Sequence, residues 1–212
     1  MEFNVDQIPA ETRWAMATKG LTGTLTAFKN VMFSMAGKEK YNEIIGQIWG
    51  QIGQTSAEMA KSSGMKGENA KSAAEAFASI VMIAMGPEYK IEEIEASENK
   101  AVMKVTECPF WNRISEFGIS EDLLTAGDNA FCQNFMKSLN PNITMKHGPR
   151  MHLGDPTVNG YLKLKNKVEL RSIKAGELHI TRCYRLRRLR APSLKPSLLS
   201  LSNSFIYKYS KS

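Results

Sequence analysis

The dipeptide Gly86-Pro87 separates two kinds of hydrophobic pattern, and no single type of secondary structure can run across it. Apolar residues recur three and four apart before it and alternate after it. The first spacing gathers side chains on one side of a helix with 3.6 residues per turn, and the second gathers them on one face of a strand. Gly followed by Pro ends a helix because Gly accepts a left-handed turn and Pro brings no N–H. Helices are therefore expected up to residue 86 and strands soon after Pro87.

Residues 12 to 35 place Trp14, Leu21, Leu25, Phe28, Met32 and Met35 on one apolar stripe, read here as the inner face of a first helix. Residues 38 to 61 repeat the pattern with Tyr41, Ile45, Ile48, Ile52 and Met59, while Gly46, Gly50, Gly53 and Ala57 form a second stripe of small residues. An interior Gly costs a helix about 1 kcal/mol relative to Ala. Such a stripe is explained either by close helix packing or by a glycine-lined ligand wall. Residues 68 to 85 give a third helix around Phe77, Ile80, Val81 and Ala84.

After Pro87, "YKIEEIEAS" and "KAVMKVTEC" read as a hairpin joined through "ENK". Cys108-Pro109 opens a short helix with Ile114 and Phe117 inward, ended by Gly118. Ser120 is expected to cap a longer helix, with Glu121 and Asp122 in its first turn, running to Asn140-Pro141. "NITMKHGPRMHLGD" and "TVNGYLKLK" give a second hairpin turning at "GDPT". The fold class is α+β: N-terminal helices packed with a small antiparallel sheet built from two β-hairpins separated by two helices. The 42% hydrophobic content of this 212-residue chain is enough for one such core.

The formal charge of +7 is unevenly placed, since thirteen of the 28 Lys and Arg lie from Lys163 onward with only two of the 21 acidic residues. The body is mildly acidic. Residues 1–167 are assigned to the α+β domain and 168–212 to a basic C-terminal extension, either an unstructured tail or the product of a reading-frame change. In "RCYRLRRLR" basic residues interleave with Tyr184, Leu186 and Leu189, so nucleic acid or an anionic surface is expected to bind only through that tail. "MEFNVDQIPAETRW" has neither a basic start nor a long apolar run, and no membrane span is expected. Three cysteines without a CxxC pair form no disulfide framework and no metal pair. A cytoplasmic protein without metal or cofactor, with self-association left open, is the resulting expectation.

Three places could carry chemistry. Pro109 holds Cys108 extended just before a helix N-terminus, where the dipole favours thiolate; the alternative is a buried structural thiol. Asp128 lies four after Leu124 and three before Phe131, within an apolar helix face, so it is either a base or amine-orienting carboxylate, or a rim carboxylate near water. "KHGPRMHLGDP" supplies His147, Arg150, His152 and Asp155. Arg150 has the fork to clamp a carboxylate, Asp155 suits a turn for backbone reasons alone, and a solvated strand face would account for any of the four. The nucleophile-elbow, HExxH, P-loop and dinucleotide-binding motifs are absent.

The order "CPFWNRISEFGIS", "GDNAFCQNFMKSLNP" and "HLGDPT", after helices that include "IIGQIWGQ", resembles the L-2-amino-thiazoline-4-carboxylic acid hydrolase-like family from about Trp14 to Lys165. The resemblance implies hydrolytic opening of a cyclic thiazoline bearing an amino group and a carboxylate, to N-carbamoyl-L-cysteine. It carries the positions of Cys108 and Asp155. The reaction needs a base, an acid and a carboxylate anchor. Cys108, Asp128, His152 and Asp155 form the expected catalytic set, with Asp128 the base and His152 or Cys108 the proton donor or nucleophile; Arg150, the carboxylate anchor, Trp111 and His147 form the substrate-binding set. Where family members often carry a further cysteine after the Gly-Asp turn, this chain has Val158. The rival reading is a non-catalytic small-ligand binding or sensory module, similar in layout to vinyl-reductase-type domains.

Overall fold

The computed structural model describes residues 5–148, 150–151 and 154–164. His152 and the basic stretch 168–212 lie outside the described residues.

A short 3-10 turn, Val5–Gln7, precedes α1, Ala10–Ser62. Helix α1 is broken at Gly37, whose φ of 74° and ψ of 165° no helix accommodates, so it consists of two arms, 10–36 and 38–62. A residue with a Cβ would be strained there. α2, Ala70–Met85, starts at Asn69, whose side chain accepts from the Ser72 N–H while the Ser72 hydroxyl accepts from the Asn69 N–H. It stops at Gly86, with φ of 82°. Among the described residues no helix is long and apolar enough to cross a membrane.

Strands β1, Lys90–Ala96, and β2, Lys100–Glu107, form the first hairpin. The two helices that follow are α3, Pro109–Glu116, and α4, Thr125–Leu139. Strands β3, Ile143–His147, and β4, Val158–Leu164, complete an antiparallel sheet of order β1-β2-β4-β3. The α+β architecture is thus as expected, with the hairpins joined by β2 pairing with β4.

Three details depart from expectation. Residues 120–124 are not helical: the Asp122 carboxylate accepts from the N–H groups of Leu124 and Thr125, so it, rather than Ser120, organises the start of α4. β3 ends at His147 instead of continuing to the Gly-Asp turn, and its partner ladder stops at Gly160. Position 149 is a proline and has no N–H to extend a ladder.

The third departure is the face that the first arm buries. Thr18, Thr22, Thr26 and Lys29 are inside, whereas Trp14, Leu21, Phe28 and Met35 are exposed. Burying these threonines is inexpensive where their hydroxyls return to helix carbonyls, as Thr18 does to Trp14 at 2.8 Å and Thr22 to Thr18 at 2.9 Å. Their small size also matters, because a Cβ on Gly86 would lie only 2.1 Å from Thr18 Oγ1. The C-terminus of α2 rests on the threonine stripe.

The second arm packs extensively on α4. A Cβ on Gly53 would come within 2.4 Å of the Phe131 carbonyl oxygen, and one on Gly50 within 3.0 Å of Asn134. This part of the small-residue stripe is therefore a close helix contact, not a ligand wall. Alanines of α1 and α2 with Phe77, Ile80, Phe135, Met136 and Leu162 form the main core against the sheet. A second core surrounds Tyr41, Ile45, Phe110, Ile114, Leu123 and Leu124.

Candidate functional site

Between the two cores lies a cavity of ≈ 110 Å³. Strands β1, β2, β3 and β4 supply one side through Ile91, Met103, Val105, Met145 and Gly160. Absence of a side chain at Gly160 keeps this floor low: a Cβ there would meet the Met145 methyl at 2.8 Å. Phe77, Trp49, Phe110 and Phe131 close the helical side. Edge-on ring pairs fix their orientation, Trp49 with Phe110 at 5.6 Å and with Phe131 at 6.1 Å between centroids.

Polar groups enter this apolar space at few points. Cys108 precedes α3 with extended φ and ψ of −128° and 117°, as a residue before proline should, and lines the cavity. The helix N-terminus does not make it a thiolate. Burial pushes the thiol up to about 11, with the Asp128 charge adding to the rise, against the opposing pull of the Trp111 and Phe110 N–H groups and of Lys29. Cys132 also lines the cavity, and burial raises its thiol well above the ordinary range. Tyr89, in the turn after Gly86, is a third neutral group there, its phenol raised by burial.

Asp128, in the first turn of α4, reaches the cavity with a side chain that is 46% exposed, so it stands at the rim. Its Oδ2 is 3.8 Å from Arg150 Nη1. Arg150 is buried, donates through Nη2 to Asn129 Oδ1, and lies 3.1 Å from His147 Nδ1. The same Nδ1 is 3.3 Å from Asn129 Oδ1, so it stands between a donor and an acceptor. His147 lines the cavity from the end of β3, and burial, aided by Arg150, lowers it to about 4.

The expected residues thus divide. Cys108, Asp128 and His147 meet around one cavity, and Arg150 stands behind Asp128 and His147. Asp155 holds the loop: its Oδ2 accepts from the Arg150 N–H at 2.9 Å, and its own N–H donates to the Arg150 carbonyl at 3.2 Å. Trp111 packs against the second core and does not line the cavity. Among the described residues no group of three or more His, Cys, Asp or Glu could hold a metal ion.

A family model described as L-2-amino-thiazoline-4-carboxylic acid hydrolase matches residues 19–157, which include α2, α3, α4 and the first three strands. The chain belongs to this family. No curated protein matches it. Among solved structures, the chain is similar to a trafficking protein particle complex subunit 3 from Naegleria fowleri covalently bound to palmitic acid, at 13% identity and a TM-score of 0.52, covering 72% of this chain and 97% of that one. That likeness is one of fold. The phenol-responsive sensory domain of the transcription activator PoxR with phenol matches at 12% identity and a TM-score of 0.47, over 72% of this chain and 80% of that one.

In this hydrolase-family chain, Val158 also lines the cavity and presents only methyl groups to it. The residue that sequence reasoning missed is Lys29. It is 4% exposed, and its Nζ lies 4.1 Å from the centre of the Phe110 ring and 4.5 Å from that of Trp49. Burial lowers it to about 8, although Asp128 and Cys108 act in the raising direction. A signal was present: Lys29 sits four after Leu25 and three before Met32, the same placement within an apolar stripe that singled out Asp128.

Proposed function

We propose that the chain is a small-molecule hydrolase that opens a single thiazoline ring held in the cavity, as its family name suggests. The observation that carries this reading is the meeting of a rim carboxylate, Asp128, and a protonated thiol, Cys108, on one apolar space of ≈ 110 Å³. A space smaller than the engineered apolar cavity of about 150 Å³ that takes up benzene has room for the five-membered ring and leaves the substrate's carboxylate at the rim.

In the proposed reaction Asp128 takes a proton from water as the oxygen bonds to the ring C=N carbon, and returns it to the ring nitrogen. The C–S bond then breaks while the new hydroxyl becomes the carbonyl and yields its proton to Asp128. Cys108 protonates the departing sulfur, whose basicity the same apolar surroundings raise, and is restored from Asp128. A thiol raised to about 11 fits a donor better than a nucleophile. Arg150, occupied by Asn129 and His147, positions Asp128, and its charge reaches a substrate carboxylate left at the rim. Residues 168–212 are assigned no part in catalysis.

A second reading has its own support. With Cys108 at about 11 and His147 at about 4, both are neutral near pH 7, which suits retaining a neutral ring unchanged. One experiment separates the two. Full-length protein, a form truncated after Lys167, and the Cys108→Ser and Asp128→Asn variants are incubated with L-2-amino-thiazoline-4-carboxylate, and N-carbamoyl-cysteine is followed by mass spectrometry. The hydrolase reading expects product from the first two and none from the variants. Undiminished turnover in both variants sinks the site, and uptake of a ligand that leaves unaltered by a folded, inactive protein favours the binding module.

A further inference from the structure

A second hollow, of ≈ 290 Å³, runs between the two arms of α1 and α2. Trp49, Val81, Met85, Phe110 and Phe131 line both it and the cavity, so the two spaces share a wall. Elsewhere the groove is formed by side chains such as Leu25, Met32, Ile45 and Ile48, and among the described residues Lys29 is the only charged one lining it. Leu21, Phe28, Ile48 and Ile52, also on its walls, are exposed large apolar residues. Such a patch marks a binding surface more often than it marks plain surface.

Lys29 decides what kind of ligand. Among the described residues no carboxylate lies within ion-pair distance of its Nζ. Two aromatic faces return only part of the hydration that a buried ammonium loses. A second copy of the chain, meeting this groove through its own groove, would bring another unpaired lysine and no anion. A ligand with one negative group and an aliphatic body answers both features of the groove.

We propose that the groove between the arms of α1 binds an aliphatic carboxylate, its chain along Leu25, Met32, Ile45 and Ile48 and its carboxylate on Lys29. This goes beyond the hydrolase reading and does not depend on it, because it is read by binding and not by turnover. Burial lowers Lys29 to about 8 even with Asp128 acting in the raising direction, as befits an ammonium with no carboxylate in contact.

The test titrates the full chain by calorimetry with decanoate, and with decanol as the uncharged comparator, both below the concentrations at which they self-associate. Decanoate is expected to saturate at one molecule per chain. Lys29→Met should weaken decanoate about tenfold, the worth of one charge-assisted hydrogen bond, and leave decanol binding in place, which also reports that the variant is folded. Ile48→Glu should weaken both ligands. Absence of decanoate binding, or equal decanoate affinity in wild type and Lys29→Met, overturns the proposal. So does a dimer, seen by light scattering, that Ile48→Glu dissociates while no decanoate is taken up, because the groove then belongs to a second copy. Decanoate binding by a chain that hydrolyses nothing leaves the proposal standing; thiazoline turnover without decanoate binding overturns the proposal alone.

Discussion

The two arms of α1 are built from similar helical patterns and end up in opposite circumstances. The second arm buries apolar and small residues: Tyr41 and Ile45 enter a core, and Gly53 touches the backbone of α4. The first arm turns its threonines and Lys29 inward and leaves Leu21 and Phe28 on an open groove. Hydrophobic spacing identifies which residues share a face; it does not say which face a neighbour will cover. The end of α2 at Gly86 covers the first arm at Thr18, where a side chain as small as threonine leaves room for it, and the rings of Phe110 and Trp49 cover it at Lys29.

The comparison is broken most strongly in the second arm. Ile45→Ala removes a side chain that is 3% exposed and should cost about 3 kcal/mol in urea unfolding. Gly53→Ala should cost about 2 kcal/mol, since the Phe131 backbone has to move away from the new methyl. Losses below about half a kcal/mol at both positions would mean that the arm is not packed as described.

Lys29 predicts a pH effect confined to the first arm. Its folded value of about 8 lies below the ordinary 10.5, so above about pH 8 the unfolded chain holds the proton more tightly. The Lys29 contribution to stability should therefore rise with pH from about 8, by about 1 kcal/mol between pH 8 and pH 9. Over the same range the unfolded thiols of Cys108 and Cys132 ionise around 9 while burial keeps both protonated in the fold, which works in the opposite direction, so the Lys29 contribution is read as the difference between wild type and Lys29→Met. Between pH 8 and pH 9 wild type should gain about 1 kcal/mol of stability relative to Lys29→Met, and an identical pH dependence in the two proteins would assign the effect to another group.

Smaller effects sharpen the contrast. Gly46→Ala, with nothing within 4 Å of the added methyl, should stabilise by up to about 1 kcal/mol through helix propensity alone. Leu21→Ser, at a residue 53% exposed in the first arm, should stay within about 0.5 kcal/mol of wild type. Thermal melts of the two variants beside Gly53→Ala and Ile45→Ala would grade the arms directly.

Much of the candidate site was visible in the sequence, for a reason that also explains the omission. Asp128 was noticed because a carboxylate inside an apolar helix face is anomalous, and it does reach the cavity. Lys29 shows the same anomaly on the first arm, but a lysine is a weaker signal there because its long aliphatic stem sits easily on apolar surface with its charge outside. Cys108 lies before its helix as expected, and of its two readings, thiolate at a helix N-terminus or buried thiol, burial favours the second. Desolvation in the cavity outweighs the helix N–H groups, and no local pattern reports the walls that cause it.

Local chemistry alone determined where elements stop and what type they are: Gly86-Pro87 ends α2, Cys108-Pro109 opens α3, Asn140-Pro141 closes α4, and alternation marks the hairpins. These depend on φ, on a missing N–H and on residue period, all of which act within a few neighbours. Tertiary structure alone decided that Arg150 would be engaged by Asn129 and His147, that Asp155 would hold a loop, and that the threonine face would be the buried one. Those outcomes depend on contacts between residues far apart in the chain and on the water such contacts exclude, and neither is a property of any segment by itself.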